Sequence, residues 1–211
     1  MPTDLIICLD LETTGVNEYD DPIIEVGAVA LDMAFRTLDT FTAVCHASPE
    51  VLTDRLDDYV RKMHTRNGLL DDLAQGKGIP LADVDEAIAR WIKGLNNGSS
   101  NKAAMAGSGV GHFDSRFIRA QMPLLAKALT FWTLDVGVMR RMCEFSGRRD
   151  LILDGTHDKT HRALDDAEFH ARELRHYASV LQGVPTNRFG SGDDLWCMVC
   201  GHSPCRCDSA P

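Results

Sequence analysis

The sequence predicts an α/β fold built on one mixed sheet, and two observations indicate it. The first 46 residues contain three apolar, β-branched segments separated by turn residues, at 5–11, 22–32 and 37–44. From residue 49 onward apolar residues recur at helical spacing, and two further short strand candidates lie between the helical segments. Strands first, followed by mixed strands and helices, are typical of a mixed sheet flanked by helices.

The elements follow in a simple order. The three N-terminal strands are joined by short turns, so a meander is the simplest arrangement. Residues 49–95 are predicted to form two helices separated by Gly76-Lys77-Gly78-Ile79-Pro80. Residues 103–106 and 131–136 are the remaining strand candidates, each leading into a helix, and residues 161–181 form an amphipathic closing helix.

Charge and hydropathy exclude two classes of protein. Lys and Arg number 22 against 31 Asp and Glu, a net charge of −9, which argues against a protein that coats nucleic-acid phosphates. The negative charge does not exclude a nuclease, because bound metal ions can contact the substrate phosphate in place of Lys or Arg. The longest apolar runs are shorter than the roughly 20 residues of a membrane span, and the N-terminus lacks an export signal. We therefore expect a cytoplasmic protein without a membrane partner.

Asp10 and Glu12 form the most informative pair of acids. They are two residues apart at the end of the first predicted strand, so both side chains project from one face of the sheet. Two carboxylates on one face repel each other unless a cation lies between them. A solvated sheet edge is the ordinary alternative for such a pair, but this pair ends an apolar run and precedes the tight turn at Thr13-Thr14-Gly15.

Two further acids lie near predicted helix starts. Asp114 follows a glycine-rich turn, where it is either a helix N-cap or a site residue. His161 and Asp166 are five residues apart at the start of the last helix, a spacing that lets both face one cleft. Asp165 is rotated about 100° from Asp166 and is expected to be solvated.

Three segments in this order resemble the motifs of the DEDDh 3′-to-5′ exonucleases. They are Asp10-Leu11-Glu12-Thr13-Thr14-Gly15, Phe113-Asp114-Ser115-Arg116-Phe117 and the H-x-A-x-x-D run that ends at Asp166. Residues 60–69 and Thr133-Leu134-Asp135-Val136 resemble the oligoribonuclease branch of that family. The sequence Thr13-Thr14-Gly15 and the presence of Phe113 before Asp114 instead resemble the motifs of proofreading exonucleases of the DNA polymerase III type.

The resemblance implies a ribonuclease H-like fold, a mixed five-stranded sheet flanked by helices, in an exonuclease domain of residues 1–183. It also implies two Mg²⁺ or Mn²⁺ ions about 3.5–4 Å apart, held by Asp10, Glu12, Asp114 and Asp166. His161 is then the general base that accepts a proton from the attacking water. The implied activity releases nucleoside 5′-monophosphates from the free 3′ end of short RNA or other single-stranded nucleic acid.

Substrate and partner contacts are implied as well. Val16 matches an apolar wedge between terminal bases, and Tyr59 and His64 match residues that line the 3′ nucleotide. Thr13 is placed with them as a substrate-binding residue. Alternatively, Val16 is an ordinary loop residue and Tyr59 packs within its helix. Phe131 falls where oligoribonucleases present an aromatic ring across a homodimer interface, so a homodimer is expected.

The residues expected to bind the 5′ end of the substrate differ from those of the oligoribonucleases. Oligoribonucleases close a two-residue substrate with serine and arginine side chains, whereas Gly109, Trp132 and Gly137 occupy the matching positions here. None of these three donates a charge-assisted hydrogen bond. We therefore expect a weaker restriction to dinucleotides, unless Ser108 or Arg140 supplies the phosphate contact.

Residues 184–211 form a polar linker and a cysteine-rich tail outside the resemblance. Its four closely spaced thiols are Cys197, Cys200, Cys205 and Cys207. In a reducing compartment four thiolates suit a tetrahedral Zn²⁺ ion, which predicts a zinc knuckle. The cysteine pairs are closer together than in common zinc ribbons, so an unstructured, redox-sensitive tail is the alternative to the zinc knuckle.

Two other functions remain as alternatives to an active exonuclease. An inactive relative would bind nucleic-acid ends or a polymerase through the same cleft, although all five expected catalytic residues are present. A metallophosphatase would favour histidine-rich ligation in place of an acid set. A proofreading-type DNA exonuclease is the alternative within the family.

Overall fold

A computed structural model describes residues 5–96, 101–155 and 160–183 of the chain. Its five strands are β1 Ile6–Thr13, β2 Ile23–Leu31, β3 Thr37–Val44, β4 Ala103–Gly107 and β5 Leu129–Asp135. They form one sheet in the order β3-β2-β1-β4-β5. The first three strands are antiparallel, and β4 and β5 add in parallel on the other side of β1. The predicted meander and mixed sheet are confirmed.

Helices cover both faces of the sheet. The α-helices in the described ranges are α1 Pro49–Arg55, α2 Asp58–Arg66, α3 Leu69–Ala74, α4 Leu81–Leu95, α5 Asp114–Gln121, α6 Pro123–Ala128, α7 Val136–Phe145 and α8 Ala163–Gln182. A short 3-10 helix spans Arg149–Leu151. None of the helices in these ranges is both long and apolar enough to cross a membrane.

The structure corrects the prediction of two helices between residues 49 and 95. Three short helices replace the first of them, because the backbone leaves the helical region twice. Leu56 is extended, and Asp57 then caps α2 by accepting a hydrogen bond from the amide of Val60. Gly68 has a φ of 80°, which separates α2 from α3. Helical spacing continues across both breaks, so periodicity alone did not reveal them.

Alternate residues of β1 enter two separate cores. Ile7, Leu9 and Leu11 pack in the core that contains α4, α5 and α6, whereas Ile6 and Cys8 pack in the core that contains α7 and α8. Each fully buried aliphatic side chain stabilises the fold by about 1.5–3 kcal/mol, so a one-residue slip of β1 would be costly. The even-numbered side chains at the end of β1 are therefore held on the face covered by α8.

Gly27 of β2 lets α8 begin directly against the sheet. It pairs with Asp10 of β1, and a Cβ atom at Gly27 would lie 2.1 Å from the backbone carbonyl carbon of Ala163. A side chain does not fit in this gap. The close approach places the start of α8 beside the carboxyl-terminal end of β1.

The linker and the four tail thiols at Cys197, Cys200, Cys205 and Cys207 lie outside the described residues. The zinc knuckle therefore stays a prediction from the sequence.

Candidate active site

Asp10 and Glu12 lie at the end of β1 and face α8. Their exposed fractions are 9% and 6%, so both carboxylates are buried beside the sheet rather than solvated at its edge. β1 is the central strand of the sheet, which explains why the pair is enclosed. The prediction that the two side chains share one face is confirmed by the alternation of β1 between the two cores.

Asp114 is the first residue of α5, and its carboxylate contacts β1. Oδ1 of Asp114 accepts a hydrogen bond of 3.1 Å from the backbone amide of Leu11, which lies between the two acids of β1. The N-cap of α5 is Phe113, so the alternative that Asp114 only caps its helix is wrong. The bond across 103 residues places a third buried carboxylate beside the first two.

The charge on Asp114 is destabilised in this position. Burial raises the pKa of the Asp114 carboxyl, and the negative charge of Asp10 raises this pKa further. The carboxyl group then releases its proton readily only when a positive charge binds nearby. A cation bound beside the two acids would favour their ionised forms.

The end of β1 and the start of α8 bring together three groups that could hold a metal ion. One ligand atom from each of Glu12, His161 and Asp166 lies within 4.8 Å of the other two. Asp166 is buried, and His161 is partly exposed. Asp165 is exposed as predicted and accepts a hydrogen bond from the hydroxyl of Thr160. The side chains of His161 and Asp166 therefore lie close together, as their spacing predicted.

An ion pair holds the segment between His161 and α8. The guanidinium of Arg162 contacts both carboxylate oxygens of Glu25, at 2.7 and 3.2 Å, and contacts Asp72 at 3.0 Å. Glu25 also accepts a 2.9 Å bond from the amide of Ala163. Glu25 pairs with Glu12 in the sheet, so this network lies one strand away from the acids of the site.

His161 itself has an unusual backbone. Its φ is 55°, in the left-handed region that non-glycine residues seldom adopt. The side-chain amide of Asn67 donates a hydrogen bond to the carbonyl of His161, and Asn67 also accepts one from the amide of Leu69. The turn between α2 and α3 therefore supports the conformation of His161.

The four expected substrate residues fall into two groups. Val16 and Tyr59 expose 74% and 72% of their surface, so both are available for contact with a base. Thr13 is buried, and its hydroxyl donates a 2.6 Å bond to the carbonyl of Gly15 in the turn after β1. His64 is fully buried in the last turn of α2, with Nε2 3.7 Å from Oε2 of Glu12.

His64 is adapted to remain neutral. Burial lowers its pKa to about 4, and the positive charge of Arg162 contributes to the lowering. A neutral imidazole beside Glu12 does not compete with a cation for that carboxylate.

The loop that carries Val16 is fixed to α5. The amide nitrogen of Gln121 donates to the backbone carbonyls of Glu18 and Asp21, each at 2.9 Å, and the amide oxygen accepts from the backbone of Ile23 at 3.3 Å. The same helix supplies Asp114 at its first turn. One short helix therefore positions both a metal-ligand candidate and the loop that exposes Val16.

Several residues at the site were not anticipated. They are Glu25, Asn67, Arg162, His170 and Glu173. The side chain of His170 lies next to Asp10, with Nε2 3.5 Å from Oδ1. Its spacing of four residues from Asp166 on α8 was a signal that could have placed it on the same helix face. The partners of Arg162 and Asn67 had no comparable signal, because they lie about 90 or more residues away in the chain.

Gly109 and Gly137, two of the residues expected near a substrate 5′ end, lie around the turn after β4. Asp135 accepts hydrogen bonds from the amides of Gly109 and Val138, and a Cβ atom at Gly137 would lie 2.9 Å from Oγ of Ser108. Trp132 is 40% exposed. Gly137 is buried, and because it is a glycine it adds no side chain to the turn.

Sequence comparison connects this geometry to known proteins. Residues 7–174 match the exonuclease family RNase_T. Oligoribonuclease of Corynebacterium diphtheriae is 32% identical over 175 residues, which cover 82% of this chain and 81% of that protein. Oligoribonuclease of Streptomyces griseus is 30% identical over 178 residues, which cover 84% of this chain and 87% of that protein.

Solved structures with a similar fold are exonuclease I chains. Exonuclease I of Methylocaldum szegediense has a TM-score of 0.59 at 16% identity, with 83% of this chain covered. Exonuclease I of E. coli in complex with a 5cy-dA13 oligonucleotide has a TM-score of 0.55 at 15% identity, with 84% of this chain covered. The chain spans about 40% of the length of these proteins, and at such identities the likeness shows the fold alone.

The structural likeness confirms the predicted ribonuclease H-like fold, and the sequence match covers every described residue of the acidic site. The relatives that align over most of both chains are oligoribonucleases. The chain therefore belongs to the exonuclease family RNase_T, and it is a hydrolytic 3′-to-5′ exonuclease.

Proposed function

We propose that the exonuclease activity depends on four metal-binding acids and one histidine base. The acids are Asp10, Glu12, Asp114 and Asp166, and the base is His161. The observation that carries this assignment is the hydrogen bond from Leu11 to Asp114, which brings an acid of α5 to the two acids of β1. The close grouping of Glu12, His161 and Asp166 supplies the other half of the site.

The donor set suits hard divalent cations. Carboxylate oxygens are the ligands that Mg²⁺ and Mn²⁺ prefer, and the buried acids here need positive charge to be ionised together. Two such ions, when bound, activate a water molecule and stabilise the oxygen that leaves the phosphorus. We propose Mg²⁺ or Mn²⁺ as the physiological ion.

His161 is proposed to accept the proton of the attacking water. Its ring lies within 4.8 Å of the carboxylates of Glu12 and Asp166, and its partial exposure gives the proton a path to solvent. Asn67 and the Arg162 ion pair fix the backbone at the carbonyl of His161 and at the residue that follows it. The product of each cycle is a nucleoside 5′-monophosphate.

The exposed side chains of Val16 and Tyr59 are available for the proposed contacts with a nucleic-acid strand. Val16 and Tyr59 are proposed to contact the terminal bases, because apolar and aromatic surfaces stack on any base. Thr13 shapes the turn below Val16. His64 is proposed to line the 3′ nucleotide from its position beside Glu12.

We propose short RNA as the preferred substrate, since the curated relatives are oligoribonucleases. The test is to incubate the protein and Mg²⁺ with 5′-labelled RNA and DNA of equal sequence and to follow the shortening of the labelled strand. Progressive loss from the 3′ end that stops on addition of a chelator is expected. Faster cleavage of DNA would favour the proofreading-type alternative, and binding without cleavage would favour an inactive module.

Substrate length is proposed to be less restricted than in a dinucleotide-specific enzyme. Arg140 is the basic residue that could replace a missing phosphate contact, but its guanidinium is bonded to both oxygens of the buried Glu173. Ser108 remains the nearest hydroxyl to Gly137. Initial rates on 5′-phosphorylated RNA of two, five and ten residues test this proposal, and a sharp preference for the dinucleotide would contradict it.

A homodimer is proposed on the basis of Phe131. β5 is an edge strand of the sheet, and Phe131 exposes 84% of its surface on it. An exposed edge strand with a large apolar side chain is a surface on which a second copy can pair.

A cytoplasmic location is also proposed. Cys8, Cys45 and Cys143 are buried free thiols, as expected in a reducing compartment.

We propose, from the sequence alone, that Cys197, Cys200, Cys205 and Cys207 bind Zn²⁺. Elemental analysis of the full chain and of a chain that ends at residue 183 tests this. One zinc per full chain and none in the shortened chain is expected. The shortened chain should retain exonuclease activity, because the family match ends at residue 174.

A further inference from the structure

The loop between β1 and β2 is held in shape by its own hydrogen bonds. The backbone carbonyl of Asn17 accepts bonds from the amides of Asp20 and Asp21, at 3.1 and 2.8 Å. The carboxylate of Asp21 accepts a 2.9 Å bond from the amide of Asn17 and lies so close to Gly15 that a side chain there would overlap it. The loop therefore closes on itself with a defined backbone.

The outer half of this loop is fixed to α5. The side-chain amide of Gln121 donates to the carbonyls of Glu18 and Asp21, and the guanidinium of Arg116 pairs with the carboxylate of Glu18. Arg116 lies two residues after Asp114 on the same helix. The segment around Glu18 is therefore located on the α5 side of the site.

Tyr19 presents its ring to solvent from this fixed backbone. It exposes 83% of its surface, and its amide donates a 3.1 Å bond to the side chain of Asn17. A large ring that is exposed on an ordered loop is typical of a binding surface, because it offers contact area at a low cost in conformational entropy.

The two faces of the sheet give the direction of a bound strand. His64 lies beside Glu12, on the face covered by α8, whereas α5 packs in the core on the opposite face. Val16 lies in the chain between the end of β1 and the outer half of the loop. A strand whose 3′ nucleotide lies at His64 and whose terminal bases contact Val16 therefore continues toward Tyr19.

The distance along the loop suits a neighbouring nucleotide. Three residues of chain, from Val16 to Tyr19, span at most about 11 Å. Stacked bases in one strand are about 3.4 Å apart. The ring of Tyr19 is therefore within reach of the few nucleotides that precede the terminal two.

The charge of the loop favours contact with bases over contact with phosphates. Glu18, Asp20 and Asp21 supply three carboxylates, and Arg116 balances one of them. Phosphate groups are repelled by such a loop, whereas stacking of a base on a tyrosine ring needs no positive charge.

We propose that Tyr19 is a substrate-binding residue that stacks on a base beyond the two terminal nucleotides of the strand. The contact favours single strands of three or more residues over dinucleotides. This inference rests on the proposed placement of the 3′ end at His64 and Val16. One base–aromatic contact contributes a factor of about five or more in affinity.

The unaltered protein provides the first measurement. KM should fall when an RNA strand is lengthened from two to five residues. In the five-residue strand, an abasic residue at one position beyond the terminal two should raise KM again, because the stacked base is missing. Equal KM values for two and five residues would overturn the proposal.

Variants of Tyr19 then connect this base to the ring. We expect Tyr19→Ser to raise KM for the five-residue strand about fivefold or more, whereas Tyr19→Phe retains the stacking surface and should retain the KM. In Tyr19→Ser, the abasic residue should raise KM no further, since both changes remove one contact. Phe145→Ser is the matched control, because Phe145 is an exposed aromatic residue at the end of α7.

Two outcomes separate this contact from the proposals on which it rests. Additive effects of Tyr19→Ser and of the abasic residue at every position would overturn the role of Tyr19. Val16→Ser should raise KM for strands of both lengths, and an unchanged KM for the dinucleotide would instead contradict the placement of the 3′ end.

Discussion

The side-chain amide of Asn67 donates a hydrogen bond to the backbone carbonyl of His161, 94 residues further along the chain. The bond ties the end of α2 to the proposed general base. The positive φ of His161 carries a cost of about 1–3 kcal/mol that the surrounding structure must offset. Asn67 and the Arg162–Glu25 ion pair are the contacts that offset it.

Substitution of Asn67 should therefore lower turnover without changing metal affinity. We expect Asn67→Ala to reduce kcat about three- to tenfold, as the loss of one hydrogen bond of about 0.5–1.5 kcal/mol would do. Asn96→Ala is the control, because Asn96 occupies the same C-cap position on α4 and its side chain donates to the nearby carbonyl of Asn101, away from His161 in the chain. An unchanged kcat in Asn67→Ala would contradict the positioning of His161 by this bond.

The acid set is tested most cleanly by an isosteric change. Asp114→Asn keeps an oxygen that can accept the bond from Leu11, so the fold should survive while cleavage is abolished. Circular dichroism checks the fold, and the release of mononucleotides measures the activity. Asp165→Asn, at an exposed neighbour of Asp166, should remain fully active. Near-normal turnover in Asp114→Asn, or in Asp10→Ala, would show that the acids are assigned wrongly.

Loss of the proposed base should leave the metal site intact. We expect His161→Ala to lower kcat about 10²–10⁴-fold, the usual contribution of general acid–base catalysis. Mn²⁺ affinity should change little, since four carboxylates remain. Equal turnover in the variant and the unaltered protein would remove His161 from the mechanism.

Glu173 should stabilise the fold in a pH-dependent way. Burial alone would raise its pKa, but hydrogen bonds from His170 and Arg140 lower this pKa in the folded protein. Its contribution is therefore complete above the ordinary glutamate pKa of 4.5 and is lost as the pH falls through the lower folded-state pKa. We expect Glu173→Gln to lower the free energy of unfolding by about 1.5–3 kcal/mol at pH 7. In urea unfolding, this difference should shrink below pH 4.5.

A matched exposed residue provides the control for Glu173. Glu144 lies on α7 and is exposed, so Glu144→Gln should change the free energy of unfolding little at either pH. If Glu173→Gln lowered stability by the same amount at pH 7 and in acid, its charge would not be the cause.

The proposed dimer depends on an apolar contact at the edge of the sheet. Phe131→Asp places a charge on β5 and should convert a species of twice 23.3 kDa into a monomer of 23.3 kDa. Light scattering coupled to size-exclusion chromatography measures the mass. Met33→Asp is the control, because Met33 is also exposed but lies in the turn between β2 and β3. An unaltered protein that is already monomeric would contradict the proposal.

Local pattern was sufficient for the elements and for part of the site. Alternation along β1 placed Asp10 and Glu12 on one face, and the five-residue spacing of His161 and Asp166 placed their side chains close together. These predictions succeeded because periods of two and 3.6 residues are properties of the chain itself. The helix breaks at Leu56 and Gly68 were missed, since they depend on single backbone angles that leave the hydrophobic period unchanged.

By itself the sequence determined the α/β class, the strand order along the chain and the membership of the exonuclease family. Only the tertiary structure decided that Asp114 bonds to Leu11, that Arg162 pairs with Glu25 and that His170 lies behind Asp10. Such contacts join residues about 100 or more positions apart in the chain. Their geometry is set by the packing of both helix layers on the sheet, including the close approach at Gly27, and no local period encodes it.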